Sequence, residues 1–193
     1  MAKVTAPLLS LGASGKIANT LVASVWKGIP YMRQYVVPAN PQTTDQVAHR
    51  NAFTAAVAAW RNYITGALAR EAWRVWAGIQ SGAMSNFNGA VGNLVTALKA
   101  DADASFMTLW AEASQVVTIT MKNMDDGATG DEAGDFIPWI GTTPTNLIAG
   151  AALTIAAGAL TTADLGASGD VVYLDIRKGG VSRSGIIKVT LTT

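Results

Sequence analysis

His49 is the only histidine of the chain, and there is no cysteine. A Ser–His–Asp triad would have to use His49. It lies between Ala48 and Arg50 on a helical pattern, and no other triad signature accompanies it, so an exposed or interface position on a helix is expected. One imidazole cannot form a histidine-cluster metal site, and the lack of thiols excludes disulfides and thiolate ligands. Gly12-Ala13-Ser14-Gly15-Lys16 shares glycines and a lysine with phosphate loops. It lacks the full G-x-x-x-x-G-K-[ST] spacing, so a turn is the favoured reading.

Asp125, Asp126, Asp131, Glu132 and Asp135 form an acidic, glycine-containing stretch. Calcium would need six to eight oxygen ligands, and the EF-hand spacing is not met, so a solvated loop is favoured over a cation site. Asp131 and Asp135 could in principle act as an acid/base pair on a polysaccharide, with Trp139 as the sugar platform. No rigid element is expected to position them. Arg50, Arg61, Arg70 and Arg74 interleave with Trp60, Trp73 and Trp76, a mixture that can bind nucleic acid. Trp60 and Trp76 fall on apolar helical faces, which favours core packing. Neither catalytic residues nor a cofactor or metal site is expected.

The elements that would carry these residues follow from periodicity. Thr20 to Val37 alternates at period two on both sides of Lys27-Gly28, which predicts a β-hairpin. Pro30 has no N–H to donate, so the second strand is expected at a sheet edge. Leu21, Ala23 and Val25 would line one face, and Val22 and Trp26 the other. A hairpin cannot bury both faces, so the segment is expected to meet a neighbouring subunit through Val22, Trp26, Ile29, Tyr31 and Arg33.

Pro38-Ala39-Asn40-Pro41 breaks the strand, and Thr43 to Gln46 fits a capping box. A helix follows with Val47, Phe53, Val57, Trp60 and Ile64 inward. A second is expected from Leu68, with Leu68, Ala72, Val75, Trp76 and Ile79 inward. A third runs from Ser85, with Phe87, Val91, Leu94 and Leu98 inward. Asp103 could cap a short fourth, carrying Phe106, Leu109 and Trp110.

From Gln115 the period changes to two. Val117, Ile119 and Met121 share a face. Met124 to Asn146 reads as loop. Leu153 to Ala157, Val171 to Arg177 and Ile186 to Leu191 read as strands, with Lys178 to Gly185 as a connecting loop. Val172, Leu174 and Ile176 would face the core with Ile187, Val189 and Leu191. Leu-Gly-Ala-Ser-Gly occurs at 11–15 and again at 165–169, both read as turns. The expected fold is therefore α+β: an N-terminal β-hairpin with a bundle of three or four helices over 1–114, then a β-rich, sandwich-like domain over 115–193.

Only 14% of the residues are charged although half are hydrophobic. Much of the surface must then be neutral or apolar, which favours a protein covered by partners. Residues 1–114 hold nine basic and five acidic side chains, and residues 115–193 five and eight. That asymmetry suggests a polar head-to-tail contact between copies and is too weak to imply nucleic acid, so a DNA-binding helical module stands as the less favoured alternative. The N-terminus does not read as a signal peptide. The apolar stretch Ile148 to Leu160 is short and carries Gly150 and Gly158, so no membrane span is expected.

Residues 12–88 hold an ordered set of elements: Gly12-x-x-Gly15-Lys16, Trp26-Lys27-Gly28, Tyr31-x-Arg33, Pro38-x-Asn40-Pro41-x-Thr43, then Gln46, Arg50, Phe53, Trp60, Trp73 and Ser85-x-Phe87-Asn88. The set resembles a group of bacterial and phage proteins often encoded among phage or prophage structural genes. The chain departs from that group at Ser85-Asn86-Phe87, where a Ser-Gly pair is usual, and at Gly66-Ala67-Leu68, where an acidic helix start is usual. The resemblance implies a virion protein of a tailed bacteriophage, made in the host bacterial cytoplasm and working by self-assembly on capsid or tail. Its partners would be copies of itself and other virion proteins. It implies no catalytic residues, and it implies that the β-rich tail is an accessory module, for which an immunoglobulin-like form is one option.

Overall fold

The computed structural model describes residues 3–4, 13–17, 20–37, 39–40, 42–101, 104–124 and 126–193; Leu11, Gly12, Pro38, Pro41, Asp103 and Asp125, named above, lie outside them. The chain divides into two compact units, Met1–Gln42 and Thr43–Thr193.

The first unit is an antiparallel sheet of β1 (Lys3–Val4), β2 (Ala13–Ile17), β3 (Leu21–Trp26) and β4 (Ile29–Gln34), in that order. The expected hairpin is β3–β4. Lys27 (φ 51°) and Gly28 (φ 82°) turn it with both residues at positive φ, the geometry that matches the twist of paired strands. Pro30 lies on β4, an edge strand, as its missing donor requires. Ala13 to Lys16 belongs to β2, so the turn expected there is a strand instead. Alanine, serine and glycine carry too little apolar pattern to announce a strand that pairs with β3.

The second unit has three helices, α1 (Thr44–Asn62), α2 (Ala67–Gly78) and α3 (Asn86–Ala100). Thr43 caps α1, its Oγ1 accepting from the Gln46 N–H at 3.4 Å, and Ser85 caps α3 through the Asn88 N–H at 3.2 Å. The inward face of α1 is Ala52, Ala56, Ala59 and Trp60, and that of α2 is Ala69, Ala72, Trp73 and Ala77. Val47, Phe53 and Leu68, expected inside, are exposed. Small residues let the helices approach closely, and the larger side chains at neighbouring positions turn outward.

Seven strands follow: β5 (Ser105–Ala113), β6 (Val116–Asn123), β7 (Ile137–Thr143), β8 (Asn146–Ala149), β9 (Ala159–Thr161), β10 (Val171–Lys178) and β11 (Val181–Thr190). They form two antiparallel sheets, ordered β11-β10-β7-β8 and β5-β6-β9. Val117, Ile119 and Met121 are buried on β6. Val172, Leu174 and Ile176 on β10, with Ile187, Val189 and Leu191, join the same core as the helices.

The fourth helix is absent: its residues are β5. The β5–β6 register shifts between Met107 and Leu109. The bulge at Thr108 puts Phe106 and Leu109 on one side of the strand and Met107 and Trp110 on the other, a spacing of three that imitates a helix. The boundary expected at 114/115 consequently falls in the turn between two paired strands, and helices and strands share one core. β7 crosses the stretch expected to be loop. Leu153 to Ala157 makes only isolated bridges, Phe136 with Leu153 and Ala156 with Ala159. The loop expected over Lys178 to Gly185 is a tight turn at Gly179-Gly180 followed by β11.

Candidate interaction surface

The cross-strand register of the N-terminal sheet decides which side chains share a face. Val22 pairs with Arg33, Ser24 with Tyr31 and Trp26 with Ile29. Paired residues project to the same side, so all five expected contact residues, Val22, Trp26, Ile29, Tyr31 and Arg33, occupy one face. Lys16 pairs with Val22 and joins them. Trp26 is 64% exposed and Ile29 65% exposed, and with Tyr31 they line a shallow concavity of about 490 Å³.

This face is also basic. The Lys16 ammonium lies 4.0 Å from the centre of the Tyr35 ring, and that of Lys27 lies 4.8 Å from Trp26. Each cation sits where the ring quadrupole attracts it. The opposite face exposes Leu21, Val25 and Met32 around buried Ala23. The outer edge of β4 pairs with no strand among the described residues. The sheet thus offers two apolar faces and an edge.

The residues considered for chemistry are scattered or engaged. His49 is exposed on α1 and lines a groove of about 420 Å³ with Phe53, Phe87, Val91 and Val95. Trp60 and Trp73 are in the core, so neither can stack on a base. Arg70 donates from Nε to the Ile64 carbonyl and lies over Trp60, while Arg74 pairs with Glu71, whose carboxyl it holds below the usual range.

The acidic stretch is not uniformly solvated. Asp126, Asp131 and Asp135 are exposed, but Glu132 is buried. Its Oε1 meets Lys178 at 2.8 Å and Arg183 at 2.9 Å, and its Oε2 accepts the Ser105 N–H at 2.6 Å. The Asn123 amide donates to Asp131 at 2.6 Å, which ties the stretch to β6. Among the described residues no group of carboxylates and imidazoles is arranged to hold a metal ion.

A second buried charge lies on β10. Asp175 accepts from Ser182 Oγ and, at 2.6 Å, from Arg177 Nε. Burial pushes its carboxyl up to about 6, although both hydrogen bonds pull the other way. Arg183 is pushed down by burial, against the carboxylates of Glu132 and Asp101, and its guanidinium lies 4.9 Å from the Phe106 ring centre. Ser182, Arg183 and Ser184 read as loop in sequence because they are polar. Ser182 and Ser184 find partners across the β10–β11 hairpin, in Asp175 and Ile176, whereas Glu132 and Asn93 come from far along the chain.

The family described as a family of unknown function (DUF6266) matches residues 12–139. That span takes in the N-terminal sheet from β2 onward, all three helices, the β5–β6 hairpin and the start of β7. No curated protein and no solved structure matches the chain. No helix among the described residues is long and apolar enough to cross a membrane.

Proposed function

The chain belongs to the DUF6266 family, and we propose that it is a non-enzymatic structural protein that works by associating with copies of itself and with other proteins, as a virion component of a tailed bacteriophage or prophage. The observation that carries the assembly reading is the N-terminal sheet. Large apolar side chains are exposed on both of its faces, Trp26, Ile29 and Tyr31 on one and Leu21, Val25 and Met32 on the other. Contiguous exposed apolar surface of this kind marks interaction sites. The virion setting draws on the resemblance carried by Trp26-Lys27-Gly28, Asn40-Pro41-x-Thr43 and Ser85-x-Phe87-Asn88. The two sheets after Ala104, whose inward residues share one core, support a sandwich-like accessory module in the β-rich part.

The test is the mass of the purified chain in solution across a concentration series, with a search for the protein in purified particles. Association and particle incorporation are expected. Replacing Val22 and Trp26 together with Lys should abolish association while the thermal transition of the 43–193 core is kept. A strictly monomeric wild type missing from particles refutes the proposal, and a double variant that assembles normally removes the sheet from it.

A further inference from the structure

We infer that the N-terminal sheet of one copy docks on the 43–193 body of another copy rather than on a second N-terminal sheet. The inference rests on the assembly reading above and names its partner.

Charge decides between the two arrangements for the face that carries Trp26, Ile29 and Tyr31. Residues 1–42 hold Lys3, Lys16, Lys27 and Arg33 and no carboxylate side chain, a formal +4. All thirteen Asp and Glu residues lie in 43–193, against the remaining ten of the fourteen basic ones, a formal −3. Stacking two sheets face to face would bring Lys16 and Arg33 of one copy against the same residues of the other. Every charge near such a contact would be positive, and like charges brought together oppose association. In an assembly of identical copies, the only carboxylate side chains available to this face are on a body.

The apolar parts fit the same arrangement. The concavity of Trp26, Ile29 and Tyr31 can take a projecting apolar side chain, and the body exposes Phe53, Leu68, Leu109 and Ile148. The aromatic rings bind by contact area, while Lys16, Lys27 and Arg33 select a partner of opposite sign. Each copy then has one donor surface and one acceptor surface. A copy that has docked its sheet still presents its body, so the contact repeats and gives a closed ring or a growing chain. Salt weakens it, because the Debye length falls from about 10 Å at 0.1 M to about 3 Å at 1 M.

Photo-cross-linking of the full chain tests this. Tyr31 is replaced by benzoylphenylalanine, and equal amounts of isotopically light and heavy protein are mixed, irradiated and mapped by mass spectrometry. The expected products join position 31 of one copy to peptides within 43–193 of the other. Products joining position 31 to residues 13–37 of another copy overturn the inference and leave the assembly reading standing. A monomer at all concentrations with links only inside one copy overturns both. As a second measurement, Lys27→Glu with Arg33→Glu should weaken association roughly tenfold at low salt, from the loss of attraction to the body. Stronger association of that variant with wild type than of wild type with itself would establish sheet-on-sheet pairing and overturn the inference.

Discussion

Gly185 is where β11 comes closest to α2. Its φ is +69°, and a Cβ built there would lie 2.8 Å from Ala72 C and Trp73 N and 2.9 Å from Ala72 O. All three are backbone atoms of a helix whose Ala72 and Trp73 side chains are in the core, so none can move alone. Gly185→Ala therefore has two costs. Left-handed backbone costs a non-glycine residue about 1–2 kcal/mol. One methyl forced into a filled core adds roughly 1–3 kcal/mol. The expected loss is then about 2–5 kcal/mol, a large part of the roughly 5–15 kcal/mol that holds a domain together. Gly179 separates the two terms: it also has positive φ, +58°, but nothing lies within 4 Å of a Cβ there. Gly179→Ala should cost only the backbone share, about 1–2 kcal/mol. Urea unfolding of wild type and both variants, followed by tryptophan fluorescence, measures the difference. Equal losses at the two positions would refute the close approach of β11 to α2.

Two further outcomes concern the buried charges. Glu132→Gln leaves buried Arg183 without its carboxylate partner and should destabilise by about 3–5 kcal/mol, the usual cost of breaking a buried pair, read from the same urea curves. A loss near that of an exposed pair, below about 1 kcal/mol, would contradict the burial. Asp175, raised from 3.8 to about 6, keeps a proton in the folded state that the unfolded state loses. Its contribution to stability is present below about pH 4 and lost as pH rises through 6, a decline of about 3 kcal/mol across that window. Subtracting the stability curve of Asp175→Asn from that of wild type between pH 4 and 7 should show this decline, and a flat difference would refute it.

The hairpin over Thr20 to Val37 was legible because its signals are local: strict alternation, a Lys-Gly turn and a proline that only an edge accepts. The cap at Thr43 is local too. The inward faces of β6, β10 and the end of β11 followed from period two. What failed depended on how one strand pairs with another, which single-residue patterns do not reveal. Phe106, Leu109 and Trp110 look helical because a bulge against β6 resets the alternation, and a bulge is a property of a pair of strands. Ser182, Arg183 and Ser184 look like loop because polarity in sequence is read as exposure. Here Asp175, Glu132, Ile176 and Asn93 hold them inside, Asn93 accepting the Ser182 N–H at 3.2 Å, although Nε and Nη1 of Arg183 are buried without a hydrogen-bond partner among the described residues. Val22, Trp26, Ile29, Tyr31 and Arg33 fall on one face of the sheet, as period two implies, whereas Lys16 beside them and the groove at His49 were not read from the sequence. Phe53 has the spacing of a core residue, and only the alanines opposite it show that the core side is elsewhere.

Those alanines connect the packing to the proposed function. Where Ala52, Ala56 and Ala59 face inward on α1, and Ala69, Ala72 and Ala77 on α2, the interior is built from small side chains and a few large ones such as Trp60, Trp73 and Phe106. A helix turns 100° per residue, so giving the inward positions to alanine sends Val47, Phe53 and Leu68 outward. A monomer selected only for solubility would place Lys or Glu at these outward positions, as surface helices ordinarily do. Here only 14% of the chain is charged, and exposed large side chains occur on α1, α2, β5, β8 and β10 and before α3 in the body, and on both faces of the N-terminal sheet and just after it. The same scarcity of charge that made partners the expected explanation of the composition therefore has a structural origin: close-packed alanines move large apolar groups to a surface that carries few charges. Removing that apolar surface from water would contribute about 25 cal/mol per Å². The sheet alone accounts for part of it. The exposed Phe53 and Leu68 supply more on the other side of a sheet-to-body contact, which is why one surface without the other would leave the chain's apolar exposure unexplained.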